Sequence, residues 1–151
     1  MRAALEEARS CLRSAQLSDV SDVPVGAVCV LNGSVIARAH NRRELDRDPL
    51  AHAEVLALKQ AAQVLEARVL SGVTLYVSLE PCPMCAGAIW LSRIERVVFG
   101  AWDDKAGACG SVFDIARDPR LNHRPQVLGG VLRAECEQIL QSFFLARRAS
   151  T

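Results

Sequence analysis

Two short stretches of the sequence carry the side chains that could hold a metal ion and move a proton. They are the H-A-E run of residues 52–54 and the P-C-P-M-C run of residues 81–85, which form the patterns H-x-E and P-C-x-x-C. Zinc prefers thiolate sulfur and imidazole nitrogen in a tetrahedron, and a catalytic zinc keeps three protein ligands and a water molecule. The sequence therefore predicts a zinc site with His52, Cys82 and Cys85 as its ligands.

Glu54 is expected to act beside the metal and not to bind it. Residues two apart on a helix do not share a face, so His52 and Glu54 would not bind one ion side by side. Zinc lowers the pKa of a bound water molecule to about 7. A carboxylate next to that water can take its proton and pass it on, so Glu54 is predicted to be a general acid and base.

Other interpretations of the cysteine pair stay open at this point. A C-x-x-C pair can be a redox pair, although a redox pair does not require an upstream H-x-E. It can also be half of a structural zinc site, which needs a fourth ligand. Cys109 and His123 are the only downstream candidates, and neither has paired spacing.

The first motif must be positioned by a helix. Residues 51–68 carry apolar side chains at helical spacing, with His52 and Glu54 in the predicted first turn. The continuous apolar run that ends at Leu79 is typical of a buried strand.

The second motif is predicted to begin a helix directly after that strand. Pro81 suits the first turn of a helix, because its missing N–H would be unpaired there. Cys82 and Cys85 would then share one face. Because open α/β sheets bind ligands beyond the carboxyl ends of their strands, the two motifs are expected to meet at that edge.

The whole chain of residues 1–151 is predicted to be a single α/β domain. Its element order reads α-β-β-α-β-α-β-(α)-β-α, with a polar loop at residues 17–23 and a type I′ hairpin signal at Asn32-Gly33. This order predicts a three-layer α/β/α sandwich around a mixed five-stranded sheet. Gly26 is small enough to let a ligand or a helix approach closely. Residues 102–125 are long for an unstructured loop, so they are predicted to hold a short helix or to carry function.

Composition excludes several classes of protein. Half of the residues are hydrophobic, which argues against disorder, and no apolar run is long enough to cross a bilayer. The formal net charge of +1 does not mark a nucleic-acid binder. The six cysteines lack the spacing of a disulfide framework, so those outside the zinc motif read as buried thiols and indicate the cytoplasm.

The chain resembles the bacterial tRNA-specific adenosine deaminases, a family with the cytidine-deaminase-like fold. The resemblance runs from about Arg2 to Arg148. The first set of matching runs, at residues 23–28, 41–42, 48–49, 51–54, 74–77 and 79–88, is shared with guanine and cytosine deaminases. The later set, at residues 92–94, 97–101, 105–107, 110–111, 122–124, 143–144 and 147–148, indicates the tRNA enzyme.

This resemblance implies a zinc-dependent enzyme that hydrolytically deaminates adenosine to inosine at the wobble position, the first position of the anticodon. One Zn²⁺ per subunit would lie on His52, Cys82 and Cys85, and zinc-bound hydroxide would attack adenine C6 while Glu54 shuttles protons. The implied partners are a tRNA anticodon stem-loop and a second copy of the chain, with Trp90 and Leu91 near the homodimer contact.

The resemblance also implies a set of contacts to the RNA. Asn41 would donate or accept a hydrogen bond at the flipped nucleotide. Each further candidate also has a structural alternative; for example, the last two arginines complement the carboxyl end of the closing helix. Trp102 departs from the family pattern and would either stack on a base or pack at a subunit contact. The further candidates are Asp103, Lys105, Asn122, His123, Arg124, Phe144, Arg147 and Arg148.

Two other functions remain possible on the sequence. The zinc motifs are equally compatible with a deaminase of free guanine or cytosine. A non-enzymatic RNA-binding subunit with a structural zinc is the third hypothesis, and the intact Glu54 argues against it.

Overall fold

The structure is a computed structural model in which residues 1–16 and 20–149 are described. Residues 17–19 of the predicted polar loop lie outside that description. Among the described residues, no helix combines the length and the apolar character that a bilayer crossing requires. The helices are α1 (Arg2–Gln16), α2 (Ala53–Val64), α3 (Pro83–Ser92) and α4 (Arg133–Ala149), and the strands are β1 (Gly26–Leu31), β2 (Ser34–His40), β3 (Thr74–Leu79), β4 (Arg96–Ala101) and β5 (Gln126–Leu128).

The five strands form one mixed sheet in the order β2-β1-β3-β4-β5. β1 pairs antiparallel with both β2 and β3, whereas β3, β4 and β5 are parallel. Asn32 and Gly33 have φ values of 50° and 78°, the pair of positive φ angles that a type I′ turn requires. The predictions of a mixed five-stranded sheet and of its opening hairpin are confirmed.

Helices cover both faces of the sheet. α1 and α4 contact each other, as do α2 and α3. The larger core lies between the sheet and the pair α2 and α3, with Leu75, Val77 and Phe99 fully buried in it. A smaller core around Leu5 and Cys136 lies beneath α1 and α4. These contacts match the predicted three-layer sandwich.

Gly26 lies at the closest approach between the sheet and α1. A Cβ atom at this position would overlap the main chain of Ala4 and Ala8. The expectation that a small residue admits a close neighbour is confirmed, and the neighbour is helix α1.

Residues 102–125 differ from the predicted short helix. They form turns and one isolated antiparallel bridge between Cys109 and Asp114. The physical reason lies in the hydrogen bonds of the first part of this segment. The N–H groups of Asp103, Cys109 and Ser111 all donate to the buried carboxylate of Glu80, and not to carbonyl oxygens one helical turn earlier.

Candidate active site

The amino end of α2 positions the first motif. His52 is the N-cap residue, with an extended backbone at φ −73° and ψ 146°, and the helix continues from Ala53. A turn leads into it, since the N–H of His52 donates to the carbonyl oxygen of Leu50 at 2.7 Å. His52 therefore precedes the helix, whereas Glu54 lies in its first turn and is only 4% exposed.

The amino end of α3 positions the second motif, with one correction to the prediction. Cys82 is the N-cap residue and Pro83, not Pro81, begins the helix. Both prolines satisfy the preference of a first turn for a residue without an N–H, and the extended backbone of Cys82 at φ −72° and ψ 173° puts the helix start after it. Cys85 then lies in the first turn and is fully buried.

The three predicted metal ligands converge. The Nδ1 atom of His52 lies 3.5 Å from the Sγ of Cys85 and 3.7 Å from the Sγ of Cys82. All three ligand atoms lie within 4.8 Å of one another. Tetrahedral zinc with ordinary Zn–N and Zn–S bonds would separate nitrogen from sulfur by about 3.5 Å. Donor types and spacing both fit a zinc ion held by Nδ1 of His52.

Hydrogen bonds and burial set the charges of this group. A hydrogen bond from Cys85 and a second from His52 lower the pKa of Cys82 to about 4, so Cys82 carries a thiolate. The hydrogen bond to Cys82 raises the pKa of His52. Burial raises the pKa of Glu54 to about 7, which is the range in which a carboxyl group can both accept and release a proton near neutrality.

A cavity of about 250 Å³ opens onto this group. His52, Glu54 and Cys82 line it, whereas Cys85 is fully buried and does not. A ligand in the cavity would therefore meet the metal position beside these three lining residues. Three of the predicted RNA contacts also line this cavity: Asn41, Asp103 and Arg147.

Asn41 is held in place by two hydrogen bonds. Its Nδ2 donates to the carbonyl oxygen of Val23 at 3.1 Å, and its Oδ1 accepts from the N–H of Arg43 at 3.3 Å. The amide carries a second hydrogen on Nδ2, which is available to an acceptor in the cavity.

A neighbouring groove of about 530 Å³ contains Lys105, Phe144 and Arg148, three further predicted contacts. Trp102 lines it as well, with its indole ring edge-on against Phe99 at 4.7 Å between ring centroids. Phe144 is 46% exposed, while its neighbour Phe143 is buried.

Asn122 and His123 line neither space and make structural bonds instead. The Oδ1 of Asn122 accepts from the indole N–H of Trp90 at 3.0 Å, and the Nε2 of His123 bonds the carbonyl oxygen of Ile94 at 2.7 Å. Arg124 also lies outside the two linings. These three residues stay predictions as RNA contacts.

Two buried acids shape the cavity through hydrogen bonds that were not predicted from the sequence. Asp22 accepts hydrogen bonds from the N–H groups of Glu44 and Leu45, at 2.7 Å and 3.1 Å, and fixes the wall that holds Asn41. Glu80 fixes the opposite wall. The available signal was their position: each is a charged residue next to an apolar run that enters or leaves the sheet.

The sequence and fold were compared with known proteins. Residues 4–148 match the family of MafB19-like deaminases. The chain is 47% identical to a tRNA-specific adenosine deaminase of Bacillus subtilis, over 95% of this chain and 86% of that protein. A solved structure from a study of A-to-I editing by tRNA A34 deaminases at the wobble position superposes with a TM-score of 0.83, at 44% identity over 93% of this chain and 97% of that one. A guanine deaminase from Nitrosomonas europaea gives 0.72, at 29% identity over 93% and 80%.

Proposed function

This chain belongs to the family of tRNA-specific adenosine deaminases, and we propose that it converts adenosine to inosine at the wobble position of tRNA. One observation carries the proposal: His52, Cys82 and Cys85 converge beside a cavity whose wall also holds the buried Glu54. Redox pairs and closed structural zinc sites require neither the cavity nor the carboxylate.

His52, Cys82 and Cys85 would hold one Zn²⁺ per subunit. The fit rests on the 3.5 Å and 3.7 Å separations of the imidazole nitrogen from the two sulfur atoms. When bound, zinc supplies Lewis acidity that brings the pKa of water down to about 7.

Glu54 moves the protons of the reaction. Its carboxylate takes a proton from the attacking water, whose oxygen bonds to C6 of adenine. Glu54 delivers that proton to N1. It then takes the proton of the new hydroxyl on C6 and gives it to the leaving amine, so the C6–N6 bond breaks, the C6 carbonyl of inosine forms and ammonia departs. A carboxyl group with a pKa near 7 suits both transfers.

Asn41 and Asp103 would orient the target nucleotide. Asn41 has a hydrogen on Nδ2 beyond the one given to Val23, and this hydrogen can donate to the base or its sugar. The cavity of about 250 Å³ suits one extruded base better than a folded stretch of RNA. Duplex adenine hides C6, so the substrate must present an unpaired base, as an anticodon loop does.

The neighbouring groove would receive the rest of the loop. Lys105 and Arg148 supply positive charge there, and the exposed ring of Phe144 supplies a stacking surface. Arg147 bridges the two spaces, because it lines the first cavity and directly precedes Arg148. Trp102 lines the same groove, which supports base stacking over the alternative of a subunit contact.

The active form would be a homodimer in the cytoplasm. The resemblance places Leu91 near the partner, and this side chain at the end of α3 is 65% exposed and therefore accessible to such a contact. A size measurement by light scattering, with Leu91→Asp as the variant, tests this contact. None of the six cysteines is in a disulfide bond, in keeping with a reducing compartment.

The test is turnover of an anticodon stem-loop with adenosine at the wobble position, beside free guanine and free cytosine. Inosine is read as guanosine after reverse transcription, and ammonia release reports the free bases. We expect conversion of that single adenosine. Ammonia from guanine or cytosine, with the RNA unchanged, would instead make the chain a free-base deaminase, and RNA binding without any turnover would make it a non-enzymatic subunit.

A further inference from the structure

Glu80 connects the metal-binding motif to the substrate wall. It follows β3 and precedes Cys82 by two residues, and it is 2% exposed. Its Oε2 accepts from the N–H of Asp103 at 3.0 Å, and its Oε1 accepts from the N–H groups of Cys109 and Ser111 at 3.0 Å and 3.1 Å. One buried carboxylate therefore holds three N–H groups of a single loop.

Other contacts fix the same loop to the same point. The N–H of Ala108 donates to the carbonyl oxygen of Pro81 at 2.8 Å, and the hydroxyl of Ser111 donates to the carbonyl oxygen of Asp103 at 2.8 Å. Gly107 passes so close that a Cβ atom there would overlap the Glu80 carboxylate. The loop of residues 103–111 is thus built around Glu80.

This loop forms one wall of the cavity. Asp103 and Ala106 line it from one side, and Cys82 lines it from the metal side. Because Glu80 is bonded to the loop and is two residues from Cys82, it sets the distance between the substrate wall and the metal ligands. Both of its oxygens accept hydrogen bonds from N–H groups of the loop, so its role is to hold the wall.

We propose that Glu80 is a positioning residue for substrate binding, which acts by holding Asp103 against the target nucleotide. The proposal rests on the proposed function, since it assigns the cavity to that nucleotide. Glu80 does not touch the substrate in this scheme. Its effect reaches the RNA through the backbone of Asp103.

The test is the variant E80Q in the zinc-loaded protein. The amide keeps the side-chain volume but presents one acceptor oxygen and one NH₂ donor, so at least one loop N–H loses its acceptor. We expect KM for the anticodon stem-loop to rise about tenfold, the effect of one lost charge-assisted hydrogen bond, with a smaller change in kcat. Zinc content should stay equal to that of the wild type. Glu66→Gln, at an exposed position after α2, is the matched control for the change of charge.

A double-mutant cycle with Asp103→Ala separates positioning from plain stabilisation. If Glu80 acts through Asp103, E80Q raises KM far less in the Asp103→Ala background. A lower melting temperature with KM and kcat unchanged would overturn the proposal, and so would loss of zinc or strictly additive effects. If E80Q does not fold, Ser111→Ala loosens the same loop, and an unchanged KM in that variant overturns it too.

Amide hydrogen exchange provides a readout that does not depend on activity. In the wild type the amides of Asp103, Cys109 and Ser111 should be protected, and in E80Q the protection of Asp103 should fall. If the wild type leaves the RNA unchanged, the proposed function fails. The exchange experiment still decides whether Glu80 holds the wall, and unchanged protection in E80Q overturns that role.

Discussion

Gly100 lies where helix α4 packs against β4, and adding one methyl group there should measurably loosen that contact. A Cβ atom at this position would come within 2.9 Å of the Cβ of Cys136 and of the carbonyl oxygen of Ser78, and nearer still to the Sγ of Cys136. Ordinary carbon contacts begin near 3.4 Å. The neighbours must therefore move by about 0.5 Å, and a thiol that rotates away relieves only part of the overlap.

The cost of Gly100→Ala can be estimated from this overlap. Overpacking of a closed core costs about 1–3 kcal/mol of the free energy of unfolding. For a chain of this length each kcal/mol lowers the melting temperature by about 2–4 °C, so a fall of about 2–12 °C is expected. Thermal unfolding of the zinc-loaded protein at fixed protein concentration measures it.

Two cysteine variants test this packing contact: Cys136→Ala relieves the overlap, and Cys29→Ala is the matched control. Cys136→Ala removes the nearest atom, so Gly100→Ala should cost at least about 0.5 kcal/mol less in that background. Cys29 is equally buried but lies on β1, so Cys29→Ala should combine with Gly100→Ala additively within about 0.5 kcal/mol. The packing argument is refuted if Gly100→Ala is as stable as the wild type. It is also refuted if the cost of Gly100→Ala changes equally in the Cys136→Ala and Cys29→Ala backgrounds.

Four further substitutions test the site. Glu54→Gln should lower turnover of the RNA by about 10²–10⁴-fold while zinc content stays at the wild-type level; loss of zinc would show that Glu54 binds the metal. Cys85→Ala should abolish zinc binding in elemental analysis, whereas Cys29→Ala should keep it; zinc retained by Cys85→Ala contradicts the ligand set. Arg148→Ala should weaken RNA binding and reduce the slope of log affinity against log salt by about 0.7, and an unchanged slope excludes a phosphate contact. Asp22→Asn should destabilise the fold by about 1–3 kcal/mol in urea unfolding, because the carboxylate accepts from two N–H groups and the amide keeps one acceptor oxygen, so at least one N–H is left without its acceptor; a stability equal to that of the wild type contradicts this role.

The chemistry of the site was predictable because its signals are local. His52 and Glu54 are two residues apart, and Cys82 and Cys85 are three apart, so side-chain types and helix geometry suffice to group them. Alternating strands and helices then predict which edge of the sheet they share. The start of α3 was less certain in sequence because Pro81 and Pro83 satisfy the same preference, and only the backbone of Cys82 distinguishes them.

The role of Glu80 could not be predicted from periodicity. Its hydrogen-bond partners lie 23 to 31 residues further along the chain, in a loop with no regular pattern. The same bonds hold residues 103–111 in turns, whereas a short helix was one of the two expectations for residues 102–125. A side chain that accepts hydrogen bonds from the N–H groups of a distant loop cannot be recognised from local sequence spacing.

Five acidic residues line the cavity, and their negative charge affects which ligands can enter. Asp22, Glu44, Glu54, Glu80 and Asp103 line it, against the guanidinium groups of Arg43 and Arg147. A phosphate brought within about 4 Å of one ionised carboxylate meets a repulsion of about 1 kcal/mol in water and about 4 kcal/mol at a protein surface. A neutral purine ring meets no such barrier. Under the proposed function the pocket would therefore favour the base over its phosphates, which would stay at the rim, so free nucleotides should compete poorly with an anticodon loop.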